Sequence, residues 1–309
     1  MPIASNPAEN TPVTAGDSSR LLPAATGMDA VTLRVGDLPA MVGYYRDALG
    51  LVELPAAAAA ADLATGAGAV VLGRGATPLV VLVPTPGLPA PRPGEAGLFH
   101  TALVFTDRAS LATAVASAAA HPRSRYVGAS DHLVSQAFYF TDLEGNGIEL
   151  YWDRARAGWG WDGGRVRMAS LPLDPNAFLH EHLDPAAAAG AGSADVGHVH
   201  LKVGDIPTAR AFYVDALGFE VTADVGSALF VSAGGYHHHL GMNTWHSAGA
   251  GPRGATLGLG RVAIAVPTRA DLDALAARLD DHGVLVRDDG RTLRFEDPWR
   301  SLLEVTVAG

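Results

Sequence analysis

The sequence contains no cysteine, and of its 309 residues only 7% are aromatic and 17% charged. The absence of cysteine excludes a disulfide framework, a thiolate zinc site and a cysteine nucleophile. No apolar run approaches the roughly 18 residues of a membrane-spanning helix, so we expect no membrane segment. Because 48% of the residues are hydrophobic, a disordered chain is excluded and a sizeable core is expected.

The charge balance also excludes classes of partner. The chain has 22 basic and 32 acidic residues, a net charge of −10, and no basic stripe, which argues against binding to nucleic acid or an anionic membrane. Residues 1–27 lack the basic start and apolar core of a signal peptide, so they are interpreted as a flexible tail and the protein is expected to be cytoplasmic. The 12 histidines are the remaining reservoir of metal ligands.

An internal repeat organises the chain. Residues 36–53 and 204–221 are identical at 8 of 18 positions, and each segment has an aspartate to cap a helix and a glycine to end it. Weaker copies of the same unit follow each segment. The pattern predicts an α+β protein of four βαβββ units in two domains, at 28–153 and 194–309, joined by a connector at 154–193. The units themselves span about 28–90, 96–153, 194–246 and 257–307.

Histidines and glutamates recur at matching positions of these units. His100 and His198 each precede a helix-capping aspartate by seven residues, and Glu149 and Glu304 each follow an aspartate by seven. Adjacent strands of one unit bring such positions close together on one face. A charged strand end reaching water is the alternative for any one of them, but it weakens when the positions coincide across units.

Residues 130–149, SDHLVSQAFYFTDLEGNGIE, carry a family resemblance. The segment resembles the signature of the type I extradiol dioxygenases of the vicinal oxygen chelate superfamily, which also contains glyoxalases and bleomycin resistance proteins. It departs from that signature at the turn positions Ser130 and Leu143. The whole chain looks most like the two-domain catechol 2,3-dioxygenases of bacteria. The resemblance implies four βαβββ modules forming two open barrels.

The resemblance also implies a site and its chemistry. His100, Glu149 and His198 would be the ligands of Fe(II), His132 would bond a substrate phenolate, and Tyr139 would contact the substrate. In the Gly-Gly-Tyr-His-His-His segment of the third unit, His238 is favoured as the acid/base, with His237 and His239 as substrate-binding neighbours. That segment is read as part of a strand, on which successive side chains alternate in direction, so at least one of the three histidines should be structural or face solvent.

Two arrangements of the metal site remain open. The triad assembles only if the second and third units share one barrel. The rival site, within the second half of the chain, would consist of His198, His239 and Glu304.

The resulting expectation is a dioxygenase of aromatic compound degradation that inserts O₂ into a small aromatic diol. Mn²⁺ is an alternative metal. A glyoxalase-like isomerase or lyase would instead use Ni²⁺ or Zn²⁺ held by four ligands, for example His100, Glu149, His198 and His239. A non-catalytic protein that sequesters an aromatic antibiotic, and a degenerate structural protein, are further alternatives. The sequence does not determine which aromatic diol is the substrate or whether the protein forms a homo-oligomer.

Overall fold

The computed structural model describes residues 20–55, 68–188 and 190–308. Each of the four units begins with a strand that leads into a capped helix. The side chains of Asp37, Asp107 and Asp205 accept backbone N–H bonds at the first turns of three of these helices, as predicted, and Thr268 forms a capping box with Asp271 at the fourth.

The first two units and the connector supply twelve strands, three α-helices and a 3₁₀ helix (Arg156–Gly158) among the described residues. The first unit comprises β1 (Gly27–Met28), β2 (Val31–Val35), α1 (Leu38–Leu49), β3 (Val52–Leu54), β4 (Val70–Arg74) and β5 (Thr77–Pro84). The second comprises β6 (Gly97–Phe105), α2 (Arg108–Ala120), β7 (Arg125–Asp131), β8 (Ser135–Thr141) and β9 (Gly147–Asp153). The connector comprises β10 (Trp161–Asp162), β11 (Arg165–Val166), β12 (Leu171–Pro172) and α3 (Pro175–His182).

The last two units follow the same plan. The third comprises β13 (Ala194–Lys202), α4 (Ile206–Arg210), a π-helix (Ala211–Ala216), β14 (Glu220–Asp224), β15 (Ala228–Ser232) and β16 (Leu240–Asn243). The fourth comprises β17 (Gly258–Val266), α5 (Arg269–Asp281), β18 (Arg287–Asp288), β19 (Thr292–Glu296) and β20 (Leu302–Val307).

Within the described ranges, the strands form two open nine-stranded sheets and a small β10–β11 hairpin. The outer-unit sheet joins the first and fourth units in the order β18-β19-β20-β17-β2-β5-β4-β3, with β1 beside β17. The inner-unit sheet joins the second and third units in the order β12-β7-β8-β9-β6-β13-β16-β15-β14. The predicted α+β class with βαβββ units in two open barrels is therefore confirmed.

The sheets do not follow the two halves of the chain, because each takes one unit from each half. Helix packing and buried hydrogen bonds link the units within a half instead. The Tyr45 hydroxyl donates to Asp142 Oδ2 at 3.0 Å, and the Tyr213 hydroxyl donates to Asp297 Oδ2 at 2.8 Å. Both bonds run from a helix of one sheet layer to a turn of the other, so the segments 28–153 and 194–309 each span both sheets.

Two expectations need correction. The flexible tail predicted at residues 1–27 extends too far, because Leu22 is buried in the core and β1 pairs with β17. Residues 1–19 lie outside the described residues. The three histidines at 237–239 lie in the turn between β15 and β16 and not on a strand, since Gly234 and Gly235 with positive φ bend the chain there.

No helix in the described part of the chain is long and apolar enough to cross a membrane.

Candidate active site

Two histidines and a glutamate converge inside the inner-unit sheet. His100 Nε2 lies 2.9 Å and His198 Nε2 lies 3.0 Å from Glu149 Oε2, and the two imidazole nitrogens are 3.4 Å apart. All three side chains are buried, with 3% of Glu149 exposed. The structure thus brings together the three residues expected as metal ligands.

The strand register explains this convergence. Across β8, β9, β6 and β13, the register aligns Tyr139, Glu149, Ala102 and His198 in one row. Neighbours in such a row project from the same face of a sheet. His100 lies two residues before Ala102 and therefore projects from that face as well. The small side chain of Ala102 separates Glu149 from His198 along the row.

A bulge in β13 sets the position of His198. The pairing of β13 with β6 shifts between Val196 and His198, at Gly197. A Cβ atom at Gly197 would lie 1.7 Å from the Tyr151 hydroxyl oxygen, so a residue without a side chain is required there. Tyr151 in turn packs against the His198 ring, with the ring centres 5.0 Å apart.

Burial and mutual charge set the protonation of the site. Burial alone would raise the pKa of Glu149, but His198 and His100 beside it hold that pKa well below its usual range. Burial lowers the pKa of His198 to about 4 despite the nearby Glu149 carboxylate. Near neutral pH these shifts favour a carboxylate facing a neutral imidazole, the forms that bind a metal ion.

The donor set fits a divalent metal ion. Ligand atoms at 2.0–2.2 Å from a metal, on bonds at right angles, lie about 3 Å apart. The observed separations of 2.9, 3.0 and 3.4 Å match a set of three ligands on one face of an ion. Two imidazoles and one carboxylate on one face, with the other positions free, are typical of non-haem Fe(II) sites.

A cavity of about 1060 Å³ opens above these three side chains. All three line it, together with aromatic and aliphatic side chains. Val127, Val225 and Trp245 are large apolar residues at its wall whose exposed fractions are 62%, 64% and 48%. Cavities of this size bury an organic ligand of considerable bulk.

His132 and Tyr139 meet at the cavity wall. His132 Nε2 lies 2.7 Å from the Tyr139 hydroxyl, and His132 Nδ1 lies 2.7 Å from the Ala169 carbonyl oxygen. Because a carbonyl only accepts, His132 Nδ1 carries a proton and, in the neutral ring, Nε2 accepts from Tyr139. Burial and the nearby Glu149 raise the pKa of Tyr139 well above its usual value, which keeps its hydroxyl protonated.

The structure separates the three consecutive histidines. His238 lines the cavity, and its ring centre lies 4.0 Å from that of His198. Burial, together with His198 and His237, lowers the pKa of His238 well below its usual value. His237 and His239 do not line the cavity. His237 is 1% exposed and lies behind His238, and His239 Nδ1 accepts the backbone N–H of Ala233 at 3.2 Å. All three are buried, so none faces solvent.

The rival arrangements are not assembled. Glu304 lies in the outer-unit sheet, where its Oε2 accepts from Arg261 Nη1 and Arg294 Nε, both at 2.7 Å. Among the described residues, the groups suited to a metal are His100, Glu149 and His198, and also His198, His237 and His238. Neither His239 nor Glu304 belongs to them, so the four-ligand set with His239 is not formed either.

Two residues of the site escaped the sequence analysis. His200 lines the cavity, its ring centre 4.9 Å from that of His100, and its Nε2 lies 3.0 Å from Asn243 Nδ2. Its position two residues after His198 was an available signal, because alternate residues of a strand share a face. Asp153, four residues after Glu149 on β9, bonds to His237.

Comparison with known proteins now places the chain in a family. A model of the Glyoxalase/Bleomycin resistance protein/Dioxygenase superfamily matches residues 27–150 and 195–305. The chain belongs to this superfamily. The chain is similar in sequence to the catechol-2,3-dioxygenase of Bacillus subtilis (strain 168). The two are 33% identical over 270 residues, which is 86% of this chain and 92% of the relative.

Solved structures support the fold of this superfamily member. Glyoxalase I from Zea mays is 17% identical in sequence to this chain and superposes with a TM-score of 0.54, and the alignment covers 92% of each chain. The cppA protein from Streptococcus pneumoniae TIGR4 is 11% identical and superposes with a TM-score of 0.52, and that alignment covers 91% of this chain and all of the cppA chain. At these identities the likeness concerns the fold alone.

Proposed function

We propose that the protein is an Fe(II)-dependent extradiol dioxygenase that cleaves catechol-type aromatic diols with O₂. The observation that carries the proposal is the convergence of His100, His198 and Glu149 at the inner wall of a large, mainly apolar cavity. The relation to a catechol-2,3-dioxygenase over most of the chain supports it. The corresponding biological expectation is a cytoplasmic enzyme of aromatic compound degradation.

The overall reaction needs only the diol and O₂. Both oxygen atoms enter the product, and the ring bond next to the two hydroxyl-bearing carbons breaks, so no external reductant is consumed. Fe(II) bound by the three ligands would lower the proton affinity of the diol oxygens and supply a redox-active place for O₂. Holding the ion is the task of His100, His198 and Glu149.

The surrounding residues then orient the diol and handle its protons. Tyr139 and His132 form a hydrogen-bonded pair at the cavity wall, and the Tyr139 oxygen, whose own proton goes to His132, can accept a hydrogen bond from a hydroxyl of the diol. His238 lies against the ligand His198 and is positioned to accept a hydroxyl proton and return it later. Phe99, Phe230 and Trp245 cover the same region and limit the access of water.

The experiment is aerobic incubation of protein loaded anaerobically with Fe(II), with catechol and substituted catechols as substrates. We expect a yellow ring-cleavage product that forms when Fe(II) is bound. Mn²⁺ is the alternative metal for this reaction, whereas Ni²⁺ and Zn²⁺ should give no product. Isomerase activity with Ni²⁺ or Zn²⁺, or tight aromatic binding without metal or turnover, would contradict the proposal.

Matched variants identify the ligands. Glu149→Gln and His198→Ala should lose bound iron, whereas Glu304→Gln removes an equally buried carboxylate from the other sheet and should keep iron in its folded fraction. Stoichiometric iron in folded His198→Ala protein would rule out the assigned centre.

A further inference from the structure

A chain of hydrogen bonds runs from Asp153, at the end of β9, to the cavity wall. Asp153 Oδ1 lies 2.9 Å from His237 Nε2, and His237 Nδ1 lies 2.8 Å from His238 Nδ1. His237 is 1% exposed. Its ring contacts those of Tyr236 and Trp159, with centres 4.1 and 5.4 Å away, and Thr222 Oγ1 donates to its carbonyl oxygen at 2.6 Å. The ring is thus held in place from several sides.

The direction of each bond follows from counting protons. A carboxylate only accepts, so His237 Nε2 carries the proton that bonds Asp153. A neutral imidazole has one N–H, so His237 Nδ1 is an acceptor and His238 Nδ1 must donate to it. In neutral His238 the remaining nitrogen, Nε2, then carries a lone pair. No described residue forms a hydrogen bond with this Nε2, and His238 lines the cavity.

We infer that Asp153 and His237 are positioning residues that fix His238 in the tautomer whose Nε2 lone pair faces the cavity, ready to take a proton from substrate. The tautomer rests on hydrogen-bond geometry alone, whereas its use as a base rests on the proposed dioxygenase function. The inference also explains why two consecutive buried histidines lie beside the metal ligands when only one reaches the cavity.

Tyr236 makes the chain of hydrogen bonds from Asp153 through His237 to His238, the relay, sensitive to the charge of Asp153. The Tyr236 hydroxyl donates to Asp153 Oδ2 at 2.6 Å and lies 2.7 Å from the Tyr151 hydroxyl, from which it can only accept. In Asp153→Asn, Tyr236 therefore holds the amide oxygen, and the amide NH₂ turns towards His237 Nε2. His237 Nε2 must then accept, each proton in the relay moves to the other nitrogen, and His238 Nε2 becomes a donor.

The direct test is nitrogen-15 NMR of the histidine side chains in metal-free, full-length protein, with His238 assigned by the signals lost in His238→Asn. We expect protonated Nδ1 and unprotonated Nε2 for His238 in the wild type, and the reverse in Asp153→Asn. Asp131→Asn is the matched control, because Asp131 is a carboxylate with the same 21% side-chain exposure at the end of β7, bonded to Arg154. It should leave the His238 signals unchanged. A protonated Nε2 in wild-type His238, or an unchanged pattern in Asp153→Asn, overturns the inference.

Turnover gives a second readout. With Fe(II) bound at the wild-type level, Asp153→Asn should lower kcat by about 100-fold or more with little change in KM, as loss of an oriented acid/base does. The double variant Asp153→Asn/Tyr236→Phe frees the amide to offer its oxygen to His237 and should recover part of the activity. Equal losses in Asp153→Asn and Asp131→Asn would overturn the positioning role. The expected tautomers in a protein that cleaves no catechol would instead refute only the proposed function.

Discussion

At the scale of single residues, Gly197 is the position on which the geometry of the candidate metal centre depends most directly. Its missing side chain leaves room for the Tyr151 hydroxyl next to the candidate ligand His198. In Gly197→Ala, either Tyr151 or β13 must move, and both contact the His198 ring or backbone. We expect a loss of about 1–3 kcal/mol in the free energy of unfolding and an iron affinity reduced roughly 10–100-fold.

Urea unfolding and metal titration measure the two effects of Gly197→Ala separately. Gly43→Ala is the control, because a Cβ there, within α1, meets no atom within 4 Å. It should be neutral or slightly stabilising. Wild-type iron affinity in Gly197→Ala would contradict the role given to the bulge.

We expect the buried His239 side chain to make the free energy of unfolding sensitive to acid. Burial lowers its pKa to about 3, below the usual 6.5, so the unfolded chain binds the proton first as the pH falls. Its contribution to stability is complete above about pH 6.5 and is lost progressively towards about pH 3. At pH 5 the loss amounts to about 2 kcal/mol from this residue, at 1.36 kcal/mol per pH unit.

The comparison that isolates His239 is unfolding of metal-free wild type and His239→Asn at pH 7 and pH 5. The Asn side-chain oxygen can accept the Ala233 N–H in place of Nδ1. The variant should therefore lose less stability between the two pH values. The other buried histidines remain in both proteins, so equal losses would show that His239 is not titrating as stated.

The placement of the candidate site residues could be predicted from the sequence where a fixed spacing determines geometry. His100 and His198 could be singled out because each lies on a strand seven residues before a helix-capping aspartate, and the strand register then places both on the same face as Glu149. The local path of the chain after β15 could not be predicted in this way. Two glycines with positive φ turn the three histidines off the strand, and the bond from Asp153 to His237 joins residues 84 positions apart.

At the scale of elements, the outer-unit sheet repeats the layout of the candidate metal centre without its two histidines. Arg261, on β17, occupies the place of His100, and Glu304, on β20, that of Glu149, while Ala30 replaces His198. The guanidinium groups of Arg261 and Arg294 bond the buried carboxylate. Positive charge is therefore supplied there by side chains, and the same pair of strands serves stability in one sheet and a site in the other.

This replacement predicts an asymmetric response to mutation. Glu304→Leu leaves Arg261 buried beside an apolar group and should cost about 3–5 kcal/mol in the free energy of unfolding. The double variant Arg261→Leu/Glu304→Leu also removes the unpaired buried charge of Arg261 and should recover much of the lost free energy of unfolding. Iron bound per folded molecule should equal that of the wild type in both. Chemical denaturation with metal analysis checks this, and a double variant less stable than Glu304→Leu would contradict it.

At the scale of the whole molecule, the sequence repeat and the sheets divide the chain differently. Self-similarity shows that the units are equivalent, but not which strands become neighbours, so the repeat alone left two barrel pairings open. The pairings of β6 with β13 and of β2 with β17 decide it. They unite units from opposite halves, and the ligands of the candidate centre come from both halves for that reason.

The cavity bounded by the inner-unit sheet also predicts a preference for bulky substrates. Its volume of about 1060 Å³ and its exposed apolar wall at Val127, Val225 and Trp245 exceed what an unsubstituted catechol can cover. Along a series of alkyl-substituted catechols, each methylene buried there should lower KM about fourfold, the equivalent of about 0.8 kcal/mol. Steady-state kinetics of the Fe(II)-loaded protein measures this dependence. Trp245→Ala should weaken it, whereas Trp161→Ala, with a similar 47% exposure outside the cavity lining, should leave it intact. A KM that is constant along the series would mean that the apolar wall does not contact the substrate.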